Sequence, residues 1–283
     1  MINVLVSVPY VGGSVRKALG ENRQHIRLLI DSGAFTNWKA GKETTVESYM
    51  EFLDGLPVKP WRYFALDKIG DPEGTWDNYQ KMLNAGYNPI PIFTRGAPVA
   101  DLDRYYETSD VVGIGGLVAT RKSRGYLKYI VERNKGRPMH WLGVTDPQFI
   151  YHYKPYSCDS SSWSNAPRYG ELPIYIGAGK FLRWDKKIHA IYKPTSQVWK
   201  AIRSYGYDPK VFQEEKNWRG LHGYTRKLSI ASHVRYYKDA ERQFGTKMFL
   251  VAEGHGFCIN EFVRCYLRDE KYLWNKTKEE IAV

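Results

Sequence analysis

The sequence predicts an α/β protein organised as a (β/α)8 barrel of the TIM type. Three observations carry this. Apolar runs of about five residues recur at spacings of roughly 20 to 35 residues, helical stretches lie between them, and eight such runs can be counted. An open doubly wound sheet is the alternative arrangement of the same units.

Taken in order, RLLID (27–31) is the first strand and VESYMEFLDGL the helix after it. YFALD (63–67) precedes the helical GTWDNYQKMLNAGY, and PIPIFT (89–94) precedes DLDRYYET. VVGIGGL (111–117) leads to SRGYLKYIVERN, MHWLGV (139–144) to DPQFIYHY, and SCDSS (157–161) to a polar turn. PIYIG (173–177) and KMFLVAE (247–253) are the last two strands, and FCINEFVRCYLRDEKYLW is the closing helix. The stretch 179–246 is longer than a plain barrel loop. It is mixed helical, basic and aromatic, and reads as an insertion before the last strand and over the barrel mouth, within a single catalytic domain. The tail segment KTKEE reads as solvated.

Composition narrows the partners. Apolar residues make up 43%, aromatics 15% and charged residues 25% of 283 residues, the profile of a globular chain. No apolar run approaches the roughly 18 residues that a spanning helix needs. MINVLVSVPY lacks the basic-then-apolar pattern of a signal peptide, so a cytoplasmic protein is expected. Cys158, Cys258 and Cys265 have neither disulfide nor zinc spacing. Lys plus Arg number 42 against 30 Asp plus Glu, a formal +12, which favours a polyanion. The 22 Tyr and 9 Trp are interleaved with basic residues, as in FLRWDKKIHAIYK and HVRYYK. Positive charge suits phosphates and aromatic faces suit unpaired bases.

The C-terminal rim of parallel strands is where such folds build sites. Reading that rim gives Asp31, Asp67, Thr94-Arg95-Gly96, Gly115-Gly116-Leu117, Gly143 and Asp159. Any one aspartate alone reads as a helix cap or turn former; three at successive rim positions point to chemistry. Gly115 and Gly116 would let a flat ligand approach the backbone. No GxSxG elbow accompanies Ser160, Ser161 and Ser162, and no histidine is placed in the sequence to activate them. They are expected to donate hydrogen bonds to Asp159.

The order DSGAF, LD, FTRGA, IGGL, HWLGVTDP and CDSSSWSNAPRYG, over residues 28–170, resembles the tRNA-guanine transglycosylase superfamily. Within it the chain looks most like the phage DNA-guanine transglycosylases that place 7-deazaguanines in DNA. The resemblance implies a (β/α)8 barrel and a base exchange through a covalent glycosyl-enzyme. It makes Asp159 the nucleophile and Asp31 the general acid/base. Phe35 and Leu142 would cover the two faces of the base, Asp67 would read its hydrogen-bonding edge, and Gly116 and Leu117, beside Gly115, would contact it through the backbone.

The chain departs from the family in three places. Arg95 stands where the family has a base-contacting glutamine. The glutamate associated with cationic aminomethyl bases is missing from GGLVATRKS, so a neutral substituent such as that of 7-cyano-7-deazaguanine is expected. The Cys/His zinc site is missing too. Trp163, Arg168, Arg183 and Trp184 are expected to hold a flipped or single strand of DNA, with a free 7-deazaguanine as co-substrate, accessory proteins as further candidate partners, and no metal or other cofactor. The same exchange on tRNA, a non-catalytic nucleic-acid-binding barrel, and a glycoside hydrolase are the competing readings. The basic charge argues against the last.

Overall fold

The computed structural model describes residues 1–117, 121–185, 195–218, 220 and 222–276. Val118–Thr120 of GGLVATRKS, 186–194 of the basic-aromatic stretch, and most of KTKEE lie outside them.

Eight parallel strands form one curled sheet: β1 (Ile2–Ser7), β2 (Ile26–Asp31), β3 (Arg62–Tyr63), β4 (Ile92–Phe93), β5 (Val112–Ile114), β6 (Met139–Trp141), β7 (Ser157–Ser160) and β10 (Lys247–Ala252). Two more, β8 (Glu171–Gly177) and β9 (Lys180–Asp185), pair antiparallel as a separate hairpin. The helices are α1 (Gly13–Glu21), α2 (Ala34–Lys39), α3 (Val46–Asp54), α4 (Pro72–Asn84), α5 (Leu102–Tyr106), α6 (Arg121–Arg133), α7 (Pro147–Tyr153), α8 (Ser162–Arg168), α9 (Ser196–Ser204), α10 (Tyr224–Phe244) and α11 (Gly256–Lys276).

The sheet order is β3-β2-β1-β10-β7-β6-β5-β4. Except for β4, which lies at the edge opposite β3, each strand neighbours the strand that precedes it within this sheet, and the order is cyclic rather than reversing as in a doubly wound sheet. The edges β3 and β4 are not joined by a ladder. One isolated parallel bridge, Phe64 to Ile90, spans them, with Ile90 N–H donating to Tyr63 O at 2.8 Å and Ala65 N–H to Ile90 O at 2.9 Å. The structure is therefore an α/β fold on a curled parallel sheet, and a continuous closed ladder is not present.

Two strand assignments change. INVLVS, read only as an amino terminus, is β1, buried along its whole length between β10 and β2. PIYIG is not in the large sheet. It turns back through Gly177-Ala178-Gly179, all at positive φ, into FLRWD. The polar turn after SCDSS is the short helix α8. Within 179–246, α10 is mostly buried and packs on β10, β8, α8 and α11.

Pleating separates two cores. Leu5, Leu29, Phe64, Ile90, Ile92, Val111 and Phe249 meet on the concave side, while alternate residues such as Val4, Leu28, Cys158 and Leu250 face the helices. Gly113 makes the inner packing possible: a Cβ there would lie 3.1 Å from the Phe64 ring and 3.2 Å from Leu142 Cδ1. Helix starts are fixed locally. Thr45 caps α3, Asp71 caps α4 ahead of Pro72, and Asp146 caps α7 ahead of Pro147. Each cap stabilises by about 1 kcal/mol.

Candidate active site

The same alternation places the acidic groups. Leu29 faces the concave side, so Asp31, two residues on at the end of β2, does as well; Leu5 does the same for Ser7 on β1. Ser7 and Asp31 are register partners, and Ser7 Oγ donates to Asp31 Oδ2 at 2.5 Å while Gly33 N–H donates to the same oxygen at 3.1 Å. Burial raises the Asp31 pKa, opposed by the Ser7 hydrogen bond, and the Asp159 charge raises it further. The two acids thus sit near enough to repel one another, and Asp31 is biased towards its protonated form.

Asp159 lies on β7 opposite Phe249 of β10, which faces the concave core. Its Oδ1 accepts from His140 Nε2 at 3.0 Å and from Gly143 N–H at 3.1 Å. Among the described residues Oδ2 has no hydrogen-bond partner, and the side chain remains 11% exposed. One oxygen is held and the other is available to a ligand.

His140 was not expected here. It is fully buried on β6, its Nδ1 2.8 Å from Ser157 Oγ and its ring set edge-on to Phe64 at 4.8 Å. In the pair with Asp159 Oδ1 the ring nitrogen Nε2 is the donor, and Nδ1 pairs with the Ser157 hydroxyl. The sequence signal was present: in MHWLG, His140 and Leu142 share one face and Trp141 the other. The expected donors Ser160–Ser162 do not serve Asp159. Ser160 Oγ instead accepts from Ser162 N–H, and Ser161 precedes α8.

Asp67 accepts from Ser32 Oγ at 3.2 Å. Burial first, then the Asp31 charge, pushes its pKa up to about 7. It lies in the wall of a cleft shared with Ala34, Trp38, Lys42 and Asn78. Phe35 is 47% exposed at the rim and stacks on Trp38 with centroids 6.1 Å apart, with Lys39 Nζ 4.3 Å from its centroid. Leu142 is half-buried against the concave core, and Leu117 belongs to the outer core. Gly116, at φ +71°, abuts Arg95: a Cβ would fall 2.5 Å from Arg95 Cβ. Arg95 itself is exposed, with its guanidinium over Tyr126 at 5.4 Å.

Two of the four expected strand-holding residues are placed otherwise. Trp163 and Trp184 are fully buried. Trp163 donates to Val251 O at 2.9 Å and packs edge-on to Phe262, and Trp184 packs against Trp218. Neither offers a ring face to a base, because burying an indole gains more than leaving it in water. Arg168 and Arg183 remain exposed, paired with Glu253 at 2.8 Å and Glu171 at 3.2 Å.

Among the described residues no helix is long and apolar enough to cross a membrane. A scan against protein-family models gives no match to this chain, and a search of curated proteins gives none either.

Proposed function

We propose that the protein is a guanine transglycosylase that exchanges guanine in DNA for a 7-deazaguanine, through an aspartyl-glycosyl intermediate. The observation that supports this most is the pair of rim acids: each is held by two donors on one oxygen, leaving the other oxygen of Asp159 open to a ligand, and burial biases Asp31 towards holding a proton.

Displacing a purine from a pentose needs a nucleophile at the anomeric carbon and a proton for the leaving base. Asp159 Oδ2 attacks the anomeric carbon as the C–N bond breaks through an oxocarbenium-like state. Asp31 gives its proton to the departing guanine. It then takes one from the incoming base, whose nitrogen attacks the glycosyl ester and frees Asp159. His140 keeps Asp159 oriented throughout. Asp67 accepts from guanine-type N–H donors, an acceptor that adenine's edge does not match. The backbone at Gly116 is exposed beside Arg95, Gly115 is half-buried against Ile92, and Phe35 supplies an exposed ring face.

In this reading the curled sheet is a (β/α)8 barrel with its seam at Phe64 and Ile90, and the 179–246 segment, with exposed Arg183, flanks the approach of a flipped or single strand. A neutral 7-substituent, as in 7-cyano-7-deazaguanine, fits the basic GGLVATRKS segment. The same exchange on tRNA uses the same atoms, and labelled guanine exchange into DNA or tRNA separates the two. The central test is a denaturing gel after incubation with a guanine-containing oligonucleotide. Wild type should give a slower protein–DNA adduct and Asp159→Ala none. Equal signal from both removes Asp159 from its role; no adduct and no exchange from wild type leaves the binding-only reading.

A further inference from the structure

A second cleft opens where β1, β10 and β7 end. It has a volume of about 840 Å3 and is walled by Pro9, Ser161, Arg168, Arg226, Glu253 and His255 among others. That size is ample for a nucleotide fragment. Its position follows from the sheet order, because β1 and β10 lie between β2, which carries Asp31, and β7, which carries Asp159. Pro9 packs directly on Gly33, where a Cβ would come within 2.1 Å of Pro9 Cδ, and Gly33 N–H donates to Asp31. Ser161 is two residues beyond Asp159. The cleft therefore adjoins both acids.

Its charge is unbalanced. Arg168 Nη2 reaches Glu253 Oε2 at 2.8 Å and Arg226 Nη1 reaches the same oxygen at 3.6 Å, while Ser164 Oγ donates to the other carboxylate oxygen. Two guanidiniums thus share one carboxylate, an excess of one positive charge. Arg226 is 14% exposed and lies 5.8 Å from the Trp163 ring centroid, so its head is pre-oriented. Arg168 remains half exposed. Exposed His255 makes no side-chain hydrogen bond among the described residues. A planar guanidinium pair with one unit of charge to spare matches a single phosphodiester, which carries one negative charge and offers two free oxygens.

We propose that this cleft is a phosphodiester subsite, in which Arg226 and Arg168, tethered by Glu253, hold the backbone phosphate next to the nucleoside whose base is exchanged. The assignment rests on the transglycosylase reading for the identity of that nucleoside. The pentose would lie between Asp31 and Asp159, with its phosphate extending over β1 and β10. Buried Trp163 then acts as a support for Arg226 rather than as a stacking platform.

The test measures binding of a labelled guanine-containing single strand in an Asp159→Ala background, where no adduct forms. Arg226→Met and Arg168→Met should each weaken binding about tenfold, and each should lower the slope of log Kd against log salt by about 0.7. Lys128→Met, which removes an equal charge from the exposed i,i+4 pair with Glu132 on α6, should do neither. Equal losses from all three, or none from the two arginine variants, overturn the subsite. Deoxyguanosine monophosphate should compete better than inorganic phosphate or deoxyguanosine; inorganic phosphate competing equally well would make it a free-anion site and overturn the backbone assignment. If Arg226→Met fails to fold, the exposed Arg168→Met carries the measurement. An adduct from wild type with binding indifferent to both arginines defeats the subsite alone. Arginine-dependent binding without any adduct defeats the transglycosylase reading alone.

Discussion

Replacing His140 with Phe tests the site's internal logic. The ring volume and the edge-on contact with Phe64 are kept, while both ring nitrogens are lost. Two consequences follow. The Ser157 hydroxyl, buried and bonded to Nδ1 at 2.8 Å, loses that partner at a cost of about 1–3 kcal/mol. Asp159 Oδ1 retains only Gly143 N–H, so the carboxylate loses one of its two fixed donors, a contact worth about 1.5–3 kcal/mol. Since about 1.36 kcal/mol corresponds to a tenfold change in rate, adduct formation should slow by about ten- to a hundredfold. The assay is the rate of adduct formation, read on the same gel, beside thermal unfolding of each variant. Ser157→Ala should slow it less. Cys158→Ala faces the outer core, and should lower stability without changing the rate. An unchanged rate in His140→Phe would refute the claim that His140 orients Asp159.

Three further outcomes are expected. Because the folded-state pKa of Asp67 is raised to about 7, the native state binds a proton that the unfolded chain has already released above about pH 4. Stability should therefore fall as pH rises from about 4 to 7 and level off above, by at most about 4 kcal/mol. Asp67→Asn should flatten that slope in urea titrations at several pH values, and an unchanged slope would exclude Asp67 as its source. Gly116→Ala places a side chain at φ +71° and 2.5 Å from Arg95 Cβ. It should cost about 1–2 kcal/mol in unfolding and lower exchange activity by displacing Arg95; wild-type values of both would contradict the close packing. Phe35→Ala should leave the melting temperature within about 1 °C while weakening base exchange, whereas Trp163→Phe should lower stability by about 1–3 kcal/mol. The reverse pattern would return Trp163 to the ligand surface.

Much of the site was legible because a carboxylate directly after an apolar run is a local signal. Asp31, Asp67 and Asp159 could each be read from a handful of residues, and the βα rhythm gave the fold class. Ser7 and His140 were not legible, because their importance lies in pairing across strands. Ser7 matters through its register with Asp31, and His140 through two strands whose offset no local pattern sets. The PIYIG assignment failed for the opposite reason. A glycine-bounded turn into FLRWD was a readable hairpin signal, overridden by the need for an eighth strand that β1 in fact supplies.

By itself, the sequence determined the alternating α/β plan, the excess of basic charge and the three acidic strand ends, since each is a matter of composition or of neighbours in the chain. Only the tertiary structure decided which donors hold each acid and that burial drives Asp31 towards its protonated form. It also decided that the tryptophans expected to stack on bases are core residues, and that two arginines share one glutamate between the two acids. Desolvation and charge–charge coupling depend on distances between segments far apart in the chain, and those distances exist only after the sheet has curled.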